Sequence, residues 1–334
     1  MAGPPQQIPE SYFMEMYFKN PSYDDTLPSL VYEDNNGRII GCLGVTSRRM
    51  SMNGRPVRVA ITHDFMVEPS SRSTLAGAQL LKAFFSGPQD LSMAEANDVS
   101  RKVWEGLGGT TAHLYSIRWT RCLRPTRHLL SLLVTRGLPA AFAIALRPFC
   151  SVVDDIAAAT SLSPFHQSPP RIPGEHLSDD TFLAWASTFT RGRSLRPEYD
   201  APSLPWILDI LARKEGRGTF RKVIVRGANQ DILGWYLYYV NPGGVGEVVQ
   251  IAAQDASIDE VLDQLFYDAW RQGVVALSGQ LEPRFMREFS NKSCVFRDGS
   301  SWMLIHSHDP QLVQAIHRGD AFLTRLDGEW WINP

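Results

Sequence analysis

The sequence predicts an α/β (α+β) chain of two domains, each a mixed, mostly antiparallel sheet flanked by helices. Three observations carry this. The chain has 334 residues, 44% of them hydrophobic, which exceeds one small domain and suffices for two cores. An order of hairpin, long strand, helix, strand, helix, strand appears twice, without visible sequence identity between the copies. Pro164, Pro169, Pro170 and Pro173 mark a Pro/Ser-rich linker over 161–175. The expected division is a first domain at 1–123, a helical connector and linker at 124–175, and a second domain at 176–334.

In chain order, residues 29–33 read as a short strand. Asp34-Asn35-Asn36-Gly37 is a hairpin turn, because Asn-Gly tolerates positive φ. A returning strand covers 38–46, a second turn falls at Met52-Asn53-Gly54-Arg55, and a long apolar strand covers 57–67. Pro69 and a polar loop follow. The helix at 75–85 places Leu75, Ala78, Leu81 and Phe85 at helical spacing. A strand at 91–96 and a helix at 98–107 come next, the latter ended by Gly108-Gly109. The last strand of the first half is expected at about 112–120. Residues 125–159 read as helical, broken at 137–139.

In the second half, helices are expected near 179–190, 205–214, 258–272 and 282–289. Strands are expected at 220–226, 232–240, 247–253, 274–278 and 301–306.

Formal net charge is −2, without the basic surplus usual in a nucleic-acid binder, so no nucleic-acid partner is expected. Cys42, Cys122, Cys150 and Cys294 are far apart and form no CxxC or Cys/His ligand spacing. Neither a structural zinc site nor a disulfide framework is expected, which fits the cytoplasm. The first nine residues lack the charged start and apolar core of a signal peptide. Residues 129–146 are the most apolar stretch. Arg136, Gly137 and Pro139 interrupt it, so it reads as a packing helix pair, with a membrane-surface or homodimer face as the alternative, rather than a transmembrane segment.

The stretch richest in functional signal runs from Val67 to Gly77. A β-prone strand ends, a loop carrying Arg72 follows, and a helix begins. Strand, basic loop and helix start is how a fold presents free N–H groups to a phosphate. An ordinary strand-to-helix connection is the plainer reading.

Arg72-Ser73-Thr74-Leu75-Ala76-Gly77 resembles the Gln/Arg-x-x-Gly-x-Gly/Ala loop of the GNAT-type N-acyltransferases, with Leu75 in place of the first glycine. Val67-Glu68-Pro69 resembles the Val-x-Pro that often ends the preceding strand in that family. The segment from Asn97 to Gly109 is similar to the family's Asn-x6-Tyr-x3-Gly-Phe, with Trp104 in the tyrosine position and Gly109 in the phenylalanine position. The resemblance covers roughly residues 30–121. The second half resembles the fold by rhythm alone, so the chain looks like a tandem member with a degenerate second half.

The resemblance implies acyl transfer from acetyl-CoA, or another acyl-CoA, to an amine on a small molecule or peptide, with no metal. Backbone N–H groups of Ser73, Thr74, Leu75, Ala76 and Gly77, with Arg72, would take the diphosphate. Phe65, Met66 and Val67 would pair with the pantetheine arm as an added strand. Asp64 falls where the family often has a carboxylate base; a hydrogen-bonded structural aspartate is the equal alternative. His63 is a further catalytic candidate beside it, but it should point to the opposite strand face, where packing or core hydrogen bonding is the ordinary role. Asn97 is a helix N-cap or a pantetheine contact. Trp104 packs on the core or lines the cofactor site, and it cannot act as an acid for the departing thiolate. Tyr115 or water would then protonate that thiolate. A non-catalytic acyl-CoA-binding or structural scaffold is the competing function.

Other constellations carry less. His306 and His308 could share a strand face as metal ligands, but no third ligand is evident. The glycines at 243, 244 and 246 read as a hairpin turn, not a phosphate loop. Tyr236 and Tyr238 share one strand face, as cleft wall or core.

Overall fold

The computed structural model describes residues 10–71, 74–298 and 301–332. A first helical turn, α1 (Glu10–Phe13), runs into a π-helical turn (Met14–Phe18). Then come β1 (Leu30–Glu33), β2 (Ile39–Met52), β3 (Arg55–Val67), α2 (Ala76–Phe85), β4 (Leu91–Ala96), α3 (Asp98–Gly106), β5 (Thr110–Thr111), α4 (His113–Ser116) and β6 (Ile117–Cys122). Two helices, α5 (Pro125–Thr135) and α6 (Ala140–Ala159), precede β7 (Glu175–His176), α7 (Asp179–Phe189), β8 (Leu195–Pro197) and α8 (Ser203–Arg213). The remainder is β9 (Thr219–Arg226), β10 (Ile232–Val240), β11 (Val245–Ala253), α9 (Ile258–Arg271), β12 (Ala276–Gln280), α10 (Met286–Asn291), β13 (Val295–Asp298), β14 (Trp302–His306) and α11 (Pro310–His317). A 3-10 turn, Glu329–Trp331, comes last.

Local chemistry accounts for the turns. Asn53 and Gly54 both adopt positive φ, 51° and 87°, and close the hairpin in which Met52 faces Arg55. Asp34 Oδ1 accepts from the N–H groups of Asn36 and Arg38, and Gly37 takes the left-handed position.

Two compact units result, but they are interleaved along the chain. The first comprises the described residues of Met1–Ser116, Thr190–Ile210 and Gly299–Pro334; the second comprises those of Ile117–Phe189 and Leu211–Asp298. Sequence rhythm alone suggests halves that follow one another, with boundaries at 123 and 176. The strands expected to close each half instead pair elsewhere. β14 pairs with β4 and β5 in the sheet of the first unit, and β6 pairs with β12 and β13 in the sheet of the second. The strand expected at 112–120 is also reshaped: its first part forms α4, and only the part from Ile117 is extended, in β6.

The first unit's sheet has the order β1-β2-β3-β4-β14-β5, with β8 also paired to β2. Leu43, Ala60, Leu81, Phe84, Phe85, Trp104 and Leu304 form its core against α2 and α3. The second unit's sheet has the order β13-β6-β12-β11-β10-β9-β7. Its core gathers Trp119, Tyr236, Tyr238, Leu265, Phe266 and Phe289. Both sheets are mixed, with one parallel pair each, β3·β4 and β11·β12.

Candidate functional site in the first unit

The register of β2 on β3 breaks at one point. Gly44 faces His63 and Cys42 faces Met66, so one residue of β2 lies opposite Asp64 and Phe65 of β3. This is a β-bulge, and Asp64 within it has φ of 49°, a left-handed conformation that aspartate tolerates better than most residues. The bulge overturns the expected alternation of neighbouring side chains. His63 and Asp64 do not point to opposite faces: His63 Nδ1 lies 3.0 Å from Asp64 Oδ2.

Tyr17, from the π-helical turn, donates its hydroxyl to the same Asp64 oxygen at 2.8 Å. His63 Nε2 lies 2.9 Å from Thr46 Oγ1. Nδ1–H donated to Asp64 leaves Nε2 as the acceptor for the Thr46 hydroxyl. The ring is fully enclosed, while the Asp64 side chain keeps 9% of its exposure. Gly44 makes this arrangement possible. A Cβ there would lie 2.3 Å from Tyr17 Oη and 2.8 Å from His63 Cε1. Cys42 Sγ lies 3.6 Å from the Asp64 carbonyl oxygen, and burial pushes its thiol up.

Burial works to raise the Asp64 carboxyl, but the hydrogen bonds from His63 and Tyr17 outweigh it and hold the group below the usual carboxylate range. Burial, and then the bond to Asp64, push the Tyr17 phenol up, so it remains a donor. The relay therefore ends on a carboxylate that stays ionised at neutral pH.

The bulge lies where two strands part. β3 and β4 pair in parallel only from Val59 opposite Leu91 to Ile61 opposite Met93, yet β3 runs on to Val67 and β4 to Ala96. Past Ile61, β3 pairs with β2 alone among the described strands. The Glu329–Trp331 turn packs against both strands, and Glu329 Oε2 accepts the N–H of Glu95 at 2.6 Å. Phe65 is partly buried against the core, Val67 is half-buried, and Met66 is 49% exposed.

Of the loop that follows β3, Arg72 and Ser73 lie outside the described residues. Thr74 Oγ1 donates to Ser71 O at 2.6 Å and accepts from Ala76 N at 3.3 Å, which turns the chain into α2. Leu75 is exposed and Ala76 buried. At Gly77 a Cβ would meet Phe65 at 3.2 Å and Val67 at 3.4 Å, so glycine seats the start of α2 close to the end of β3. The first N–H groups of α2 have no partner within the helix, as at any helix start.

Three expected site residues are committed elsewhere. Asn97 Oδ1 accepts from Val99 N at 3.0 Å and Ser100 N at 3.1 Å, an N-cap of α3. Trp104 is buried edge-on against Phe85 and donates its indole N–H to Ile305 O at 3.0 Å. Tyr115 is buried, donating to Ala321 O at 2.6 Å and accepting from Ala321 N at 3.0 Å. His306 stacks on Phe85 at 4.0 Å. Among the described residues, no three His, Cys, Asp or Glu side chains gather as metal ligands. Tyr236 and Tyr238 are core in the second unit, both directed at Asp268 Oδ2, at 3.4 and 2.8 Å.

Sequence reading named Asp64 and His63 and missed Tyr17, Gly44, Thr46 and Glu329. Gly44 carried a usable signal: a lone glycine inside a strand often marks a close approach. Tyr17, in an aromatic-rich segment beyond the first strand, carried none that singled it out.

The chain matches no protein-family model and no curated protein. Solved structures do match. A conserved protein of unknown function from Enterococcus faecalis V583, designated a probable N-acyltransferase, aligns at TM-score 0.55 and 9% identity, over 89% of this chain and 68% of its own. A GCN5-related N-acetyltransferase from Anabaena variabilis aligns at TM-score 0.55 and 11% identity, over 88% of this chain and 64% of its own. This chain has the GNAT fold. The N-myristoyltransferase of Saccharomyces cerevisiae, with bound myristoyl-CoA, also aligns, at TM-score 0.51 and 10% identity over 88% of this chain and 72% of its own. The two mixed sheets flanked by helices are two GNAT-like domains, one per unit. The chain spans about two thirds of the length of the first two of these structures.

Proposed function

We propose that this protein transfers an acyl group from a coenzyme A thioester to an amine, with the chemistry in the first unit. The observation that carries the reading is Asp64: an ionised carboxylate on a β-bulge, held by Tyr17 and His63, where β3 and β4 part.

The pantetheine arm would pair with the free edge of β3 at Phe65, Met66 and Val67. The helix start at Thr74, Leu75, Ala76 and Gly77, with Arg72 and Ser73 before it, would face the diphosphate. Asp64 attracts an ammonium acceptor because its carboxyl stays charged. The ammonium gives one proton to solvent water, the neutral nitrogen then attacks the thioester carbonyl carbon, and a bulge N–H supports the oxyanion. As the C–N bond forms, the nitrogen becomes far more acidic and its proton passes to Asp64, directly or through water. The C–S bond then breaks, the thiolate leaves, and water protonates it. Trp104 and Tyr115 take no part in that last step, since their donors are spent on Ile305 and Ala321. Acetyl-CoA is the simplest donor, and a small-molecule or peptide amine in the cytoplasm is the acceptor.

That same commitment of Trp104 and Tyr115 favours a second reading, an acyl-CoA-binding scaffold without turnover. Calorimetry with CoA and acetyl-CoA, followed by a thiol-release assay over a panel of amines, separates the two. Binding with amine-dependent thiol release supports transfer. Binding without release supports the scaffold, and no binding at millimolar ligand rejects both.

A further inference from the structure

A cavity of about 250 Å³ lies between the α5–α6 hairpin and the Pro242-Gly243 turn that joins β10 to β11. All of its walls belong to the second unit. On α5, Arg127, Leu130 and Ser131 recur at helical spacing and line it; on α6, Ala143 and Arg147 stand one turn apart and line it from the other side. Leu130 and Ala143 are buried at its base, and Arg147 is exposed at its rim. A Cβ at Gly243 would meet nothing within 4 Å, so the turn leaves the cavity open on that side.

The charge of this cavity is one-sided. Two arginines from two helices line it, and no aspartate or glutamate does. Arg127 Nη2 donates to Ser151 Oγ, which steadies the guanidinium but leaves its charge uncompensated. Neither Arg127 nor Arg147 pairs with a carboxylate among the described residues. The next acids along α6 are engaged elsewhere. Asp154 accepts from the backbone N–H groups of Thr126 and Arg127, and Asp155 pairs with Arg124. Ser131 adds no donor, because its hydroxyl is spent on His128 O at 2.8 Å. The two guanidinium groups therefore repel each other across the cavity, and an anion between them would turn that repulsion into attraction. A dianion matches two cations where a carboxylate would leave one uncompensated, and arginine suits the oxygens of phosphate geometrically. The volume is below that of the usual pocket for a drug-sized molecule, so it suits one compact group.

We propose that this cavity binds a phosphate group, either the free ion or the monoester of a small molecule. The proposal is independent of the acyl-transfer reading, whose parts lie in the first unit.

The test is calorimetry of the full chain with inorganic phosphate, methyl phosphate and acetate, at about pH 8 and constant ionic strength. The expected result is binding of phosphate more tightly than acetate. Binding of methyl phosphate as well assigns a monoester, and binding of inorganic phosphate alone assigns the free ion. Arg147→Gln should weaken phosphate about tenfold or more with unchanged melting, since the side chain is exposed. Arg127→Gln should weaken it likewise, with melting measured beside it because the bond to Ser151 is lost. Arg136→Gln, at an exposed arginine of the same hairpin outside the cavity, should change nothing. Phosphate affinity that Arg147→Gln leaves intact places the ion elsewhere, such as at the start of α2, and overturns the proposal. Equal weakening by Arg136→Gln shows a general charge effect and overturns it too. So does acetate that binds as tightly as phosphate, or no phosphate binding at tens of millimolar.

Discussion

Tyr17 and Asp64 lie 47 positions apart in the chain, yet the phenol donates to the carboxylate at 2.8 Å. A residue of a short π-helical turn thus completes a group that the long strand β3 only begins. The strand supplies the bulge, the acid and the His63 donor, and the turn supplies a second donor to the carboxylate.

Asp64→Asn should leave CoA affinity unchanged and slow transfer by about a hundredfold or more, the range expected for loss of a general base. Asparagine tolerates the left-handed backbone that Asp64 adopts, so the fold should persist. Steady-state kinetics beside calorimetry check this, and full activity would clear Asp64 of the role.

Tyr17→Phe should cost about 1.5–3 kcal/mol at neutral pH, one hydrogen bond to a charged group. The sign of its pH dependence follows from the depressed Asp64 carboxyl. Such a group stabilises the fold fully above its unfolded pKa, and that stability is lost as pH falls through the lower folded value. Parent and variant should therefore differ at pH 7 and converge in acid. Urea unfolding across that range reads the difference directly, and a gap that widens in acid would contradict the assignment.

Gly44→Ala should destabilise by about 1–3 kcal/mol, because its methyl would overlap both the Tyr17 hydroxyl and the His63 ring. Whichever ring moves, Asp64 loses a donor. Thermal melting gives the cost, and activity should fall in parallel with Tyr17→Phe.

Trp104→Ala should cost about 3–5 kcal/mol as a core truncation. Gly109→Ala should act at the same place, since a Cβ at Gly109 would lie 2.1 Å from the indole. If Trp104 is core alone, CoA affinity measured below the lowered melting point stays at the parent value.

Much of the architecture was legible in the sequence. The Asn-Gly turns fixed two hairpins, and apolar spacing located α2, α3, α5, α6 and α9 to within a few residues. The N-cap role of Asn97 follows from the general rule for helix starts. Strand exchange was not legible, because nothing local to 112–120 or 301–306 says which sheet each will join. Short elements such as β7, β8 and β13 were missed for the same reason: their partners, not their own residues, make them strands. At the site, period-two alternation misassigned His63, because a bulge is set by pairing across strands and not by either strand alone.

The exchange has a consequence for biosynthesis. β4 ends at Ala96, but its outer neighbour β14 begins at Trp302, roughly two hundred residues later. At ribosomal speeds that interval is on the order of ten to forty seconds. Through that interval the emerging chain carries β4 with its outer edge open, the kind of edge that invites mispairing. A fragment cut after the linker at 161–175 would hold every residue of the Asp64 relay and still lack a finished sheet, because β14 would be absent.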